Sequence, residues 1–355
     1  MEKINKLQDF LKNSHEAILI HSPVNRRYFT GFPSSDGYLL ITKKEAVLFA
    51  DSRYIEAAQK SVSVCKCLLL TKVADEIKKY IKDNNILKIY IERARMTVGT
   101  ADFLKTVFLP CRVTPSKKLD AKIDELRMVK TPEEIECIKT AQQIAEDAFE
   151  HILSFIRPGV TEKRIALELD FYMLSHGAEA LSFETIAVTG KKTSMPHGVP
   201  DDTIVEIGDF ITMDFGAVYK GYHSDMTRTV AVGKISEEQK KIYNIVLQAQ
   251  KNALSVLKKG LPCKEADKAA RDIIKNAGYG DYFGHGTGHG VGIEIHELPN
   301  LSPRSDAILQ VGNVVTVEPG IYIPDKFGVR IEDMALITEE GYENLTHTSK
   351  ELIIL

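Results

Sequence analysis

The first 120 residues alternate short apolar runs with amphipathic stretches. Continuous apolar runs of this length predict buried strands, whereas apolar positions repeating every three to four residues predict helices. The predicted strands are 17–20, 38–41, 46–49 and 89–91, and the predicted helices are 2–12, 53–61, 74–82 and 100–108. This alternation predicts an α/β domain.

A charged segment with a helical pattern, 119–127, follows this region. Next come an N-cap threonine, Thr131, a proline at the first helical position and two acidic residues, which together predict the start of another helix. A chain of 355 residues suits two domains. We therefore predict a smaller α/β domain over 1–121 and a second domain over 122–355.

The second domain contains an internal repeat. The segment 208–216, Gly-Asp-Phe-Ile-Thr-Met-Asp-Phe-Gly, recurs 104 positions later as 312–320, Gly-Asn-Val-Val-Thr-Val-Glu-Pro-Gly. A repeat of this length with only two copies indicates a duplication with a pseudo-twofold axis. We expect an α+β fold in which each half has two amphipathic helices followed by an antiparallel hairpin, and in which both hairpins meet at a central seam.

Each copy of the repeat carries two acidic residues. Asp214 and Glu318 end the apolar runs, and Asp225 and Glu332 follow them within 14 residues. Ionised carboxylates in apolar surroundings are unfavourable unless a cation compensates them. Four converging carboxylates are neutralised by two divalent cations, as in a two-metal site. Solvated turn acids or arginine partners are the alternative, which explains a single acid better than the repeated set.

A glycine-rich segment lies between the two copies. Residues 283–292, Phe-Gly-His-Gly-Thr-Gly-His-Gly-Val-Gly, place five glycines around His285 and His289, and His296 and Glu297 follow. Glycines allow the backbone to approach a ligand or a metal closely. The His-x-x-x-His spacing also matches a zinc-binding helix, but so many glycines disfavour a helix. We therefore predict a functional loop here.

The overall composition narrows the class of protein. With 44% hydrophobic and 27% charged residues and a net charge of -3, the chain has no basic footprint for nucleic acid or an anionic membrane. It has neither the apolar stretch of a signal peptide nor a run that could span a bilayer, so we expect it in the cytoplasm. Five scattered cysteines argue against a disulfide framework. We interpret Cys65 and Cys67 as packing residues rather than a metal pair.

In chain order, five side chains resemble the metal ligands of the pita-bread metallopeptidases: Asp214, Asp225, His289, Glu318 and Glu332. Other segments resemble the proline-specific branch, which includes aminopeptidase P and prolidase: 195–198, 222–225, 296–299, 318–322 and 328–333. Segments 25–31 and 51–54 resemble the creatinase-type N-terminal domain of that branch. The resemblance spans nearly the whole chain and implies a pita-bread fold for the second domain.

The resemblance implies two divalent ions, Mn²⁺ with Co²⁺ as the alternative, and a bridging water as the nucleophile. Asp214 would chelate one ion, and Asp225 and Glu332 would bridge both. His289 and Glu318 would complete the shell of the second ion.

The same resemblance implies roles for neighbouring side chains. Glu318 would act as the acid/base, and His296 would donate to the scissile carbonyl or its oxyanion. His197 would contact the substrate on the leaving-group side, and His285 would lie beside the metals. Arg330 would orient a bridging carboxylate or bind substrate. A supporting role and a purely structural one remain equally open for four further residues: Tyr222, His223, Thr227 and Arg228.

For function, we favour an Xaa-Pro aminopeptidase of the aminopeptidase P type that acts on short proline-containing peptides. The alternative is an Xaa-Pro dipeptidase. Archaeal-type prolidases tend to carry an arginine four residues after the histidine that corresponds to His296, where this chain has Asn300, with Arg304 close by. Methionine aminopeptidase would not require the leading domain, and metal-free creatinase or a non-catalytic binding protein would not require the ligand set. The resemblance also implies a homodimer, and the charge of the chain predicts neither nucleic acid nor a membrane as partner.

Overall fold

The structure, a computed structural model, describes residues 2–355. They form two compact units, one ending at Leu126 and the other comprising Arg127–Leu355. The division falls inside the helix Lys117–Met128, which also contains the boundary predicted at residue 121. Within residues 2–355, no helix combines the length and the apolar character needed to cross a bilayer.

The first unit is built on one six-stranded mixed sheet. Its elements in chain order are α1 (Glu2–Gln8), β1 (Glu16–Ile20), α2 (Pro23–Thr30), β2 (Tyr38–Thr42), β3 (Ala46–Ala50), α3 (Ile55–Ser61), β4 (Lys66–Leu69), α4 (Glu76–Asp83), β5 (Lys88–Glu92), α5 (Val98–Val107), β6 (Arg112–Ser116) and α6 (Lys117–Met128). The strand order is β4-β3-β2-β1-β5-β6. The central pairs β1–β2 and β2–β3 are antiparallel, and the other three are parallel.

The core of this sheet follows the predicted apolar runs. Ile89 and Ile91 of β5 are fully buried and pack with Ile77 of α4 and Leu104 of α5. Three elements lay outside the prediction: α2, β4 and β6. Strand β4 is largely apolar in sequence but mostly exposed, and β6 contains Pro115, which disfavours a strand in the sheet interior. Helix α2 buries polar residues, which hides its periodicity.

The second unit contains the predicted duplication. The first half comprises α7 (Pro132–Phe155), α8 (Glu162–Ser175), β7 (Ala180–Leu181), β8 (Ile186–Thr189), β9 (Phe210–Phe215), β10 (Ala217–Tyr219), β11 (Tyr222–His223) and β12 (Met226–Ala231). The second half comprises α9 (Glu237–Val256), α10 (Cys263–Asn276), β13 (Gly288–Gly290), β14 (Glu297–Leu301), β15 (Val314–Val317), β16 (Gly320–Ile323), β17 (Phe327–Arg330), β18 (Asp333–Ile337) and β19 (Tyr342–Asn344). Short 3₁₀ turns lie at Gly190–Ser194 and Gly280–Tyr282.

Each half contains a helix pair and an antiparallel hairpin. In the first, β9 pairs with β12, and in the second, β15 pairs with β18. Each hairpin encloses a short ribbon, β10–β11 or β16–β17. Both long helices begin with a capping box. The side-chain oxygen of Thr131 or Ser236 accepts from the backbone N–H three residues later, and the side chain of that later residue accepts from the backbone N–H of the threonine or serine. The helix pair and the antiparallel hairpin in each half confirm the α+β fold predicted from the repeat.

The two hairpins meet along one seam. The amide of Glu332 donates to the carbonyl of Thr227 at 3.1 Å. The hydroxyl of Thr229 donates to the carbonyl of Arg330 at 3.0 Å. These bonds join β12 to the backbone between β17 and β18, so the acidic ends of both hairpins lie together.

Candidate metal centre

The first hairpin supplies two acids from neighbouring strands. Asp214 lies in β9, directly opposite Thr227 of β12, and Asp225 immediately precedes β12 and is 4% exposed. One oxygen of Asp214, Oδ2, accepts from Arg330 at 2.7 Å. The other, Oδ1, is buried and has no hydrogen-bond partner among residues 2–355. A buried, unpartnered carboxylate oxygen is unfavourable unless a cation binds it.

The second hairpin supplies two more acids. Glu318 follows β15, and its backbone N–H donates to the carbonyl of Thr287 at 2.7 Å. Glu332 lies between β17 and β18 and is 1% exposed. Its Oε2 accepts from the hydroxyl of Thr227 at 2.7 Å, which holds the carboxylate in one orientation.

His289 of β13 points its ring at the acids of both hairpins. Its Nε2 lies 3.5 Å from Oδ2 of Asp225 and 3.6 Å from Oε1 of Glu318. Its Nδ1 lies 3.0 Å from the carbonyl oxygen of Gly290. Because a carbonyl only accepts, Nδ1 carries the hydrogen and the Nε2 lone pair faces the carboxylates.

The donor set fits a divalent cation. One potential ligand atom each from Asp225, His289 and Glu332 lie within 4.8 Å of one another. A single imidazole nitrogen among several carboxylate oxygens suits ions such as Mn²⁺ better than thiolate-preferring ones. The buried Oδ1 of Asp214, which has no hydrogen-bond partner among residues 2–355, adds a further potential ligand atom.

Burial controls the protonation of this cluster. Burial, and then the charges of neighbouring acids, raise the pKa values of Asp225 and Glu332 well above their ordinary range. Burial also raises the pKa of Glu318 to about 8, although the charge of Arg330 opposes the shift. Burial lowers the pKa of His289 to about 4, so this imidazole is neutral near pH 7. Asp225, Glu318 and Glu332 therefore hold protons more strongly in the bare protein than in water and would exchange them for a cation.

A chain of hydrogen bonds connects Asp214 to His285. Arg330 donates to Asp214 and, at 3.0 Å, to the hydroxyl oxygen of Tyr322. That hydroxyl lies 2.9 Å from Nε2 of His285, whose Nδ1 lies 2.8 Å from the carbonyl of Gly286. Since Nδ1 must donate to the carbonyl, Nε2 accepts from Tyr322. The chain runs Arg330 to Tyr322 to His285.

Two of these contacts differ from the sequence interpretation. The sequence predicts that Arg330 orients a bridging carboxylate or binds substrate. In the structure it donates to Asp214, which is not one of the predicted bridging acids, and Thr227 orients Glu332. Tyr322 was not among the predicted site residues. Its only signal in the sequence was its place in the segment 318–322, which resembles the proline-specific enzymes.

Three glycines of the loop leave no room for a side chain. A Cβ atom at Gly288 would lie 2.0 Å from the carbonyl oxygen of Thr316, and one at Gly290 would lie 2.3 Å from that of Leu298. At Gly292 it would lie 2.5 Å from the carboxylate of Glu297. These three glycines therefore permit a close approach to neighbouring strands and to Glu297, and Gly288 also lines the cavity where the sequence predicts a ligand or a metal.

All five predicted ligands line one cavity of about 700 Å³. His197, His285, His296 and Arg330 also line it, together with apolar side chains that include Phe183, Ile186, Val199 and Ile295. Among the lining residues that the structure describes, Arg330 is the only lysine or arginine. The cavity thus combines acids, imidazoles and an apolar wall.

Comparison with protein families identifies both parts of the chain. Residues 136–339 match the profile described as Metallopeptidase family M24. Residues 3–129 match that of the Creatinase/Prolidase N-terminal domain. Together, these matches account for the two-domain α+β architecture.

Individual relatives extend this likeness to the full length. The chain is 41% identical to a protein named Xaa-Pro dipeptidase from Pyrococcus furiosus, over 99% of each chain. It resembles the structure of an Xaa-Pro dipeptidase from Bacillus anthracis with a TM-score of 0.95 and 45% identity, covering 100% of this chain and 99% of the other. It also resembles an X-Pro aminopeptidase structure from Thermotoga maritima, with a TM-score of 0.91 and 38% identity over 96% and 97% of the two chains.

Proposed function

We propose, because this chain belongs to metallopeptidase family M24, that it hydrolyses the peptide bond before proline and that Xaa-Pro dipeptides are its main substrates. One observation carries the proposal: Asp225, His289 and Glu332 offer ligand atoms within 4.8 Å of one another inside a peptide-sized cavity. The names of the relatives support the dipeptidase at least as well as the aminopeptidase favoured from the sequence.

The residues that would hold two divalent cations are Asp214, Asp225, His289, Glu318 and Glu332. When bound, such a pair supplies Lewis-acid polarisation and a water whose pKa is lowered toward neutrality. Manganese is our candidate because the donor set is mainly oxygen. Arg330 and Thr227 hold Asp214 and Glu332 in fixed orientations before any ion binds.

Two side chains are suited to the proton and charge transfers of hydrolysis. Glu318 lines the cavity with its Oε1 3.6 Å from Nε2 of His289, which places a carboxylate able to exchange protons beside the other ligands. It would take a proton from the attacking water and return it to the departing proline nitrogen. His296 lines the same cavity, with its ring 4.4 Å from that of His289, and would donate to the oxygen of the scissile carbonyl.

One observation favours an aminopeptidase as the second candidate. A dipeptide presents a free carboxylate, yet Arg330 is the only lysine or arginine among the described lining residues, and Asp214, Tyr322 and Pro196 already accept its hydrogen bonds. At the position where archaeal-type prolidases tend to carry an arginine, Asn300 lines the cavity with a neutral amide. A neutral amide suits a longer peptide, which has no carboxylate at that point.

Substrate length separates the two candidates. We expect the manganese-loaded protein to cleave Leu-Pro faster than Leu-Pro-Gly-Gly and to leave Leu-Ala intact. Asn300→Arg should raise the preference for Leu-Pro by at least about tenfold, since one charge-assisted hydrogen bond contributes roughly 1.5–3 kcal/mol. Asn300→Ala is the matched control. Faster cleavage of the tetrapeptide by the wild type would establish the aminopeptidase in place of the dipeptidase.

We also propose a homodimer in the cytoplasm, on the resemblance to the family. Light scattering of the purified protein tests the first part, and a monomer at assay concentration would refute it.

A further inference from the structure

A buried ion cluster lies immediately behind His296. It consists of Arg127, Lys130, Glu294 and Glu297, and we refer to these four residues as the anchor cluster. The side chains of Arg127 and Glu297 are 4% exposed and that of Lys130 is 1% exposed. With two positive and two negative side chains, the cluster is balanced in charge. Buried charges persist only when paired in this way.

The carboxylate of Glu297 is the centre of this cluster. Its Oε1 accepts from Arg127 at 2.7 Å and from the backbone N–H of Glu294 at 3.0 Å. Its Oε2 accepts from Lys130 at 3.3 Å. Burial alone would raise the pKa of Glu297, but the positive charges of Lys130 and Arg127 more than offset this and lower it. Glu297 is therefore held as an anion by three donors.

The cluster fixes the backbone on both sides of His296. Glu297 is the first residue of β14 and pairs with Gly290 of β13, one residue beyond His289. Its carboxylate also lies against Gly292, where a Cβ atom would come within 2.5 Å of Oε2. The Glu297 side chain therefore binds the backbone of the turn 292–297 at Glu294, where the N–H of Gly292 also donates to the carbonyl of Glu294 at 3.1 Å.

By contrast, the imidazole of His296 is exposed in the cavity. Its one described contact is with the ring of His289, at 4.4 Å between centroids and an interplanar angle of 65°. A ring with so little support of its own depends on its backbone for position. A group that must meet a developing charge requires such preorganisation.

From this geometry we propose that Glu297, held by Arg127 and Lys130, is a positioning residue that aims His296 at the substrate carbonyl. The inference rests on the proposed function, because His296 is assigned its donor role there. Glu297 itself does not line the cavity and touches no substrate.

A double-mutant cycle tests this proposal in the full-length, manganese-loaded protein. We expect Glu297→Gln to lower kcat for Leu-Pro by about 10- to 100-fold, the loss typical for groups that orient a catalytic side chain, with little change in KM. In a His296→Ala background the same substitution should change kcat by less than about twofold, because its effect passes through His296. Additive losses would overturn the proposal, since a purely structural effect multiplies that of His296→Ala.

Glu297→Gln leaves two cations partly unpaired, so a charge-balanced variant guards against failure to fold. Lys130→Met combined with Glu297→Gln removes one charge of each sign and leaves Arg127 with Glu294. This variant should show the same loss of kcat, and wild-type kcat would refute the proposal. Glu294→Gln, whose side chain is 31% exposed, is the matched control and should have a much smaller effect.

Hydrogen exchange of the metal-free protein provides a readout that does not depend on activity. We expect the amides of 292–297 to exchange at least tenfold faster in the charge-balanced variant, while those of β9 and β12 remain unchanged. Unchanged exchange in 292–297 would overturn the positioning role. If the wild type does not cleave Leu-Pro, the proposed function fails, and the exchange result alone still decides whether Glu297 holds the turn.

Discussion

The two copies of the acidic hairpin place equivalent carboxylates in different surroundings. Asp214 lies inside β9 with a paired residue on either side, whereas Glu318 lies just beyond the end of β15. The first acids are 104 positions apart and the second acids, Asp225 and Glu332, are 107 apart. The ribbon within the second hairpin is therefore the longer one.

That difference has a chemical consequence. The second ribbon, β16–β17, places Arg330 in the cavity, where it binds Asp214, and places Tyr322 behind it, where it binds Arg330 and His285. The first ribbon, β10–β11, instead sends the hydroxyl of Tyr222 to Glu134 of α7 at 2.6 Å. Duplication thus provides four similar acids, while the unequal ribbons make them chemically distinct.

The largest expected effect is a loss of activity when the acid that precedes the last strand of either hairpin, Asp225 or Glu332, is replaced. We expect Asp225→Asn and Glu332→Gln each to lower kcat/KM for Leu-Pro at least about 100-fold, because each removes a charged ligand from the same cation site. Steady-state kinetics and metal analysis by mass spectrometry measure the two losses. The exposed Glu340→Gln is the control. If only one of the two variants lost metal, the two acids would not be equivalent.

A smaller effect should appear in the stability of the metal-free protein. Burial raises the pKa of Glu318 from 4.5 to about 8, and those of Asp225 and Glu332 shift in the same direction. A folded state that binds more protons than the unfolded state loses stability as pH rises, here from about 4.5 upward and through about 8. The bare protein should thus be less stable at pH 8 than at pH 5.

The neutral variants reverse this trend. At pH 8, metal-free Asp225→Asn and Glu332→Gln should each be more stable than the wild type by at least about 1 kcal/mol, or roughly 2–4 °C in melting temperature. At pH 5 the difference should shrink. Added manganese should make the wild type more stable than either variant, because it stabilises the wild type alone. Calorimetry at both pH values checks this, and a wild type equally stable at both would contradict the assigned burial of charge.

The smallest expected effect concerns the capping boxes that begin α7 and α9. Thr131→Ala and Ser236→Ala should each lower the free energy of unfolding by about 1 kcal/mol, because each leaves a backbone N–H without its acceptor. Urea denaturation measures the change. Ser154→Ala and Ser255→Ala, near the opposite ends of the same helices, should stay within about 0.5 kcal/mol. Unequal losses at the two caps would show that the copies have diverged in stability as well as in chemistry.

Much of this architecture was predictable because local patterns express it. The apolar runs ending on Asp214 and Glu318 indicated buried strands, and their recurrence indicated duplication. The division of labour among Arg330, Thr227 and Tyr322 was not predictable, because it depends on which side chains meet across the seam. Likewise, the pairing of Lys130 with Glu297 spans 167 positions, and no periodicity in the sequence reports it.

The carbonyl contacts of Gly288 and Gly290 constrain how this enzyme can evolve. Those two positions have no room for even one methyl group, so the strand that carries His289 is closed to substitution beside the histidine. Lineages or laboratory selections that alter peptide preference must instead change other side chains that line the cavity, such as Asn300 or Val199, which is 72% exposed. Adaptation to new peptides therefore leaves the backbone on either side of His289 as it is.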